Sequence, residues 1–219
     1  MIRRSYTASL VSIALTLVGV GLGATKAQAQ TTYPFSGNYD TLINIVPLTE
    51  DISQSIELAT STDVPAPYGL TQYEGTVYAL TDPATGEITF DTNPATFGLP
   101  DLPVNSIVFK GEGTNNKLFG TTTASAVVDF ENRTAQGFGT LNITGGEGIF
   151  TNATGILDFS ETDILNPDPN VLSLNGKALI TGTIEVVPEP GTEIGTLIGI
   201  GAISTGVLLR RRRYRPTSG

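Results

Sequence analysis

Tyr73-Glu-Gly-Thr-Val-Tyr-Ala-Leu-Thr81 is followed by Asp82-Pro-Ala-Thr-Gly86 and then by Glu87-Ile-Thr-Phe-Asp91. Both flanks carry the β-branched and aromatic residues that suit a pleated, half-buried surface. The five residues between them hold a proline that presets a turn and a glycine that can supply a positive φ. The stretch predicts an antiparallel hairpin. Period-two alternation places Tyr73 on one strand face with Thr71 and Val77, and Tyr78 on the other.

The same pattern recurs along the chain. Ser125 to Glu131 runs into a turn at Asn132-Arg133-Thr134, returns through Gly137 to Thr144, and turns again at Gly145-Gly146-Glu147-Gly148. Between Ile149 and Glu161, Leu157 and Phe159 alternate with Asp158 and Ser160, the pattern of a strand with one wet face. Leu179 to Val186 alternates likewise. No helical period is sustained between residues 30 and 186, and about eight or nine strands fit there, joined mostly by short turns. The expectation is an all-β domain, either an antiparallel β-barrel or a two-sheet β-sandwich. Loops are expected at Asn93 to Val104, with prolines at 94, 100 and 103, at Asn166 to Asn170, and at Thr60 to Pro67.

Thr144-Gly-Gly-Glu-Gly-Ile-Phe-Thr-Asn-Ala-Thr-Gly155 resembles the Gly-Gly-x-Gly-x-Phe-x-x-Ala-x-Gly stretch of dirigent and allene oxide cyclase-type barrels. The resemblance implies an eight-stranded, calycin-like β-barrel. No position matches those families' active-site residues, so it carries the fold and leaves their chemistry aside.

Composition narrows the chemistry. The 219 residues include no cysteine, no histidine and no tryptophan. Disulfides are therefore excluded, and so are the commonest general base and the commonest transition-metal ligands. Between Thr31 and Val187 four basic residues (Lys110, Lys117, Arg133 and Lys177) face nineteen acids, a net charge of −15. Such a surface repels nucleic acid and anionic lipid, so neither is expected as a partner of this region. Asp158, Glu161 and Asp163, with Asp168 beyond them, are the candidate calcium ligands, but their spacing fits neither an EF-hand nor a glycine-rich nonapeptide repeat. A solvated acidic face is the simpler reading, so no metal and no cofactor is expected. Tyr68, Tyr73 and Tyr78 offer aromatic surface for a sugar, with Tyr68 in a loop, although core and edge packing is their expected role. No activated nucleophile or base is recognisable, and an enzyme is not expected.

The two ends speak of export. Residues 1–29 have a basic start at Arg3 and Arg4, an apolar run from Leu10 to Leu22 and a small-x-small site at Ala27 and Ala29, the layout of a secretory signal peptide cut after Ala29 by signal peptidase. Residues 187–215 hold Pro188-Glu189-Pro190, an apolar stretch at 194–209 and the basic cluster Arg210, Arg211, Arg212 and Arg213. The prolines keep the junction extended. Sixteen apolar residues as a helix reach about 24 Å, marginal for a bilayer core, and the arginines fix the end of the chain on the cytoplasmic side. This segment resembles the PEP-CTERM sorting signal of Gram-negative bacteria. The resemblance implies recognition by an exosortase-type processing enzyme, cleavage near Pro188-Glu189-Pro190, and passage to a cell surface often associated with extracellular polysaccharide. An ordinary tail anchor is the alternative.

Together these features lead to an exported surface or matrix protein whose β domain is non-catalytic, flanked by a signal helix and a C-terminal hydrophobic helix. A small-ligand or carbohydrate-binding barrel is the first alternative, marked by a deep cavity. A carboxylate-dependent carbohydrate-active enzyme is the second, marked by two buried carboxylates facing each other across a sugar.

Overall fold

A computed structural model describes residues 30–168 and 170–187. The expected signal peptide with Ala27 and Ala29, the motif Pro188-Glu189-Pro190, the apolar stretch 194–209 and the arginines 210–213 lie outside the described residues. Among the described residues no helix is long and apolar enough to cross a membrane.

Nine strands follow one another: β1 (Thr31–Pro47), β2 (Ile52–Ser61), β3 (Gln72–Thr81), β4 (Glu87–Asp91), β5 (Ile107–Lys110), β6 (Lys117–Asp129), β7 (Thr134–Glu147), β8 (Ala153–Leu165) and β9 (Ser173–Val186). All pairings are antiparallel. The sheet order is β2-β1-β9-β8-β7-β6-β4-β3-β5, and a further β2–β3 ladder from Ile52↔Leu80 to Thr60↔Gln72 brings the sheet back onto itself. The closed ring excludes the sandwich alternative and leaves only the first part of β1, residues 31–38, without a partner strand on its β2 side; closure is how a barrel limits edge-to-edge association.

β4 and β5 occupy one position in the ring. β3 pairs through Tyr78–Thr81 with β4 and through Gln72–Gly75 with β5, and β6 pairs with both in turn. The ring therefore has eight positions, one filled by two short strands. The proline-rich excursion between them begins with a 3-10 turn at Pro94–Phe97 and packs over the outside of β3. There the Tyr78 hydroxyl donates to the Pro103 carbonyl at 2.9 Å, which explains why an outward-facing tyrosine is buried.

The hairpin β3–β4 and the turn at Asn132–Thr134 lie where the sequence places them, although β6 and β7 extend well beyond the segments expected. The expected loop at Thr60 to Pro67 needs one correction. Thr60 and Ser61 belong to β2, held by ladders to β1 and β3, and the irregular segment starts after them.

One end of the barrel is filled. Phe35 and Tyr39 from β1, Tyr73 from β3, Phe109 from β5, Leu118 from β6 and Leu157 from β8 are all nearly inaccessible there. The rings meet edge to face, Tyr39 with Tyr73 at 5.1 Å and Phe35 with Phe109 at 6.0 Å between centroids, the arrangement aromatic quadrupoles favour. Phe150, from the glycine-punctuated segment Thr144–Gly155, plugs this end and stacks edge-on against Tyr33 and Tyr68. Tyr68 is half-buried rather than free, its hydroxyl bound to the Pro34 carbonyl at 2.6 Å. Tyr68 and Tyr78 thus serve packing, while Tyr73 packs in the filled end and also lines the interior.

Candidate functional site: carboxyl groups in the barrel lumen

The other end of the barrel is hollow. A cavity of about 300 Å³ occupies the lumen. Its wall is mainly apolar, with Ile43, Val77, Ala79, Ile88, Phe90 and Leu174 among the contributors, and Tyr73 forms part of the floor. Phe130, in the β6–β7 turn and 78 % exposed, also lines it and marks the mouth. The hollow follows from residue size. Inward positions at this end hold Ser53, Ser55, Ala79, Ala124, Ala126, Ala135 and Gly137, where the filled end holds aromatic rings and leucine.

Three acids reach into this space. Alternation along β8 puts Leu157, Phe159, Glu161 and Asp163 on the inner face, and Asp158 on the outer one. The solvated-face reading of the acidic cluster is thereby corrected. Glu161 and Asp163 are 8 % and 6 % exposed, while Asp158 is in solvent. The three candidate calcium ligands do not share a face, and among the described residues no group of three acids is arranged to hold a metal ion. Glu57, on the inner face of β2, joins the two inner acids across the lumen and lines the same cavity.

The cluster is tied together by hydrogen bonds. Thr41 Oγ1 donates to Glu161 Oε1 at 2.5 Å, and the Tyr73 hydroxyl donates to Glu57 Oε1. Asp163 shares a hydrogen bond with Glu161. Asp163 Oδ1 has no partner in the protein. Gly176 makes the arrangement possible. It pairs with Thr41 on one side and Asp163 on the other, and a Cβ there would overlap Asp163 Oδ1 and crowd Thr41 Oγ1. Ala135, opposite Asp163, and Gly137 and Ala178, opposite Glu161, keep the surroundings open.

Removal from water disfavours a carboxylate, and a second carboxylate nearby does so again. Burial, then the charge of Glu161 and the hydrogen bond to it, push the Asp163 carboxyl up to about 8. Burial and mutual charge thus favour one proton shared by Asp163 and Glu161 across their hydrogen bond. Glu161 is also raised by burial, with the bonds from Thr41 and Asp163 opposing. Burial and the proximity of Glu161 hold Glu57 well above the usual carboxylate range, against the pull of the Tyr73 hydroxyl. Burial and the charge of Glu57 keep Tyr73 from ionising.

Glu57 and Tyr73 were not read from the sequence as partners of the acids on β8. The available signal was parity, because Glu161 continues the inward series of Leu157 and Phe159, but the contribution of β2 depends on ring closure. The sorting-motif and signal-peptidase residues lie outside the described residues.

No protein-family model and no curated protein matches the chain. The solved structure of a pterocarpan synthase dirigent protein is similar at 10 % identity and a TM-score of 0.38, over 72 % of this chain and 87 % of that one.

Proposed function

We propose that this chain is an exported, non-catalytic binding barrel that takes a small, largely apolar ligand in its lumen. The carrying observation is the cavity of about 300 Å³ with an apolar wall and a few convergent polar groups, which is the common anatomy of a small-molecule site. The stretch Thr144–Gly155 supports a calycin-like fold for the barrel, and Phe150 within it plugs one end and leaves the other open. Glu161 and Asp163 are hydrogen-bonded to each other, so this pair cannot straddle a glycosidic bond, for which about 5 Å or more is needed.

The same proposal includes the route outward. The signal peptide supports export through signal peptidase, and Pro188-Glu189-Pro190, the apolar segment 194–209 and Arg210 to Arg213 support transient anchoring in the inner membrane. Exosortase processing then delivers the barrel to the cell surface or its polysaccharide matrix.

The lumen is tested with a neutral, environment-sensitive naphthalene dye added to the mature protein. Saturable uptake of one dye per chain is expected, lost in Ala124→Phe, which fills the cavity from β6 while circular dichroism stays β-rich. Absence of saturable uptake by the wild-type protein, or uptake unchanged in that variant, overturns the binding reading.

A further inference from the structure

Among the described residues no basic side chain reaches the three carboxyl groups of the lumen. Glu57 comes from β2, and Glu161 and Asp163 come from β8. The titratable groups facing them from neighbouring strands are the phenols of Tyr39 on β1 and Tyr73 on β3, while the inner faces of β6, β7 and β9 present only small or uncharged residues here. The four basic residues of the described chain lie on the outer surface. Lys110, Lys117 and Lys177 pair with Glu74, Glu147 and Asp40 at 2.7–2.9 Å, and Arg133 sits in the exposed turn after β6.

Buried charges in proteins are ordinarily paired, and buried acceptors ordinarily have a donor. Asp163, with only 6 % of its surface exposed, leaves Oδ1 without any donor. The glycine at 176 keeps the notch for that oxygen clear. A ligand bringing positive charge and N–H donors would supply that partner and pair with the carboxylate charge of the cluster, while its remainder would have to suit walls built from Ile43, Val77, Ala79 and Phe90. Among the described residues no group of three acids is arranged to hold a metal ion, and an ion alone would leave those apolar walls without a partner.

We propose that the lumen is selective for a small organic cation, a protonated amine on a hydrocarbon or aromatic body, whose ammonium group meets Glu161 and Asp163. The inference rests on the binding reading above and names the class of ligand. The ammonium group keeps its own protons. On binding, the proton shared by Asp163 and Glu161 goes to solvent, and both carboxylates pair with the ligand. Burial and mutual repulsion raise both carboxyls and so favour that shared proton until the ammonium enters.

Titration calorimetry of the mature protein with octylamine, octanol and octanoate at neutral pH, in two buffers of different ionisation heat, provides the test. The amine is expected to bind about tenfold or more tightly than the alcohol, with octanoate weakest. Amine binding should release close to one proton, seen as a heat that changes with the buffer. Asp163→Asn and Glu161→Gln, measured separately in case one fails to fold, should bring amine and alcohol to similar affinity while octanol binding persists. Equal wild-type affinities with no proton release overturn the cation inference and leave the apolar cavity reading standing. An amine preference that survives in the folded variants also overturns it. If none of the three ligands binds, both readings fall together.

Discussion

Gly176 and Asp163 face each other across the β8–β9 ladder, and the space that a side chain at 176 would fill is occupied by Asp163 Oδ1. The glycine thus accommodates the acid first, with Thr41 Oγ1 and the Thr162 carbonyl also close to where a Cβ would stand. Gly176→Ala is expected to destabilise the fold by about 1–3 kcal/mol, because the carboxyl and its neighbours must move in a closed wall. In the double variant Gly176→Ala, Asp163→Ala part of that cost should disappear, since the nearest obstructing oxygen is gone. Urea unfolding of the four proteins as a double-mutant cycle measures the coupling. Additive costs would show that the notch at 176 serves something other than Asp163.

The lumen acids also predict how stability varies with pH. Their carboxyls are raised in the folded chain, so between the ordinary carboxylate range and about 8 the native state holds more protons than the unfolded state. Their contribution is complete below the unfolded pKa and is lost as pH rises. Stability should therefore fall from about pH 5 to pH 8, by about 1.4 kcal/mol per pH unit for each extra proton held. The exposed Asp63, Asp82, Asp129 and Asp168 are held low by backbone and side-chain hydrogen bonds, and their effect is lost only as pH falls below the ordinary range. The two windows do not overlap. Asp163→Asn should flatten the upper one and raise stability near pH 8 by on the order of 2 kcal/mol, read from urea midpoints at several pH values.

The filled end and the open end should respond differently to loss of a ring. Phe109 is 1 % exposed and stacks against Phe35, Tyr39 and Tyr73. Phe109→Ala is expected to cost about 3–5 kcal/mol, the usual range for an aromatic deletion in a rigid core. Phe130, at the mouth, is expected to cost within about 0.5 kcal/mol when changed to Ala. Thermal unfolding of the two variants checks the contrast, and similar losses would mean that the mouth is structurally tied to the core.

What could be read in advance and what could not divides along contact order. The hairpin at Asp82–Gly86 was legible because its turn chemistry is local, and the inward parity of Leu157 and Phe159 was legible because alternation needs only one strand. The same parity assigns Glu161 and Asp163 to the interior, but acids in an acid-rich sequence invite a solvent reading, and a strand alone does not say that its inner face is hollow. The hollow depends on small residues at Ser55, Ala124, Ala135 and Gly137, drawn from three strands. Contact between Glu57 and the acids of β8 requires the β2–β3 ladder that closes the ring, a pairing set by the whole topology. Burial of Tyr78 depends in turn on the excursion between β4 and β5, which no periodicity encodes.

Val187 follows β9 directly, so cleavage near Pro188-Glu189-Pro190 would leave every described strand intact and remove only the segment proposed to anchor the chain. Two prolines cannot supply backbone N–H groups to a sheet or continue a helix, which on the proposed route favours processing there. In a host with an exosortase, the mature wild-type protein should end between Val187 and Pro190 by intact-mass measurement and be found outside the membrane fraction. Glu189→Ala should keep the arginines 210–213 and remain membrane-bound, with the barrel folded as before because residue 189 lies beyond its last strand. Retention of those arginines in both proteins would make the segment a simple tail anchor. Loss of the tail from both would show that Glu189 is not what the processing enzyme reads.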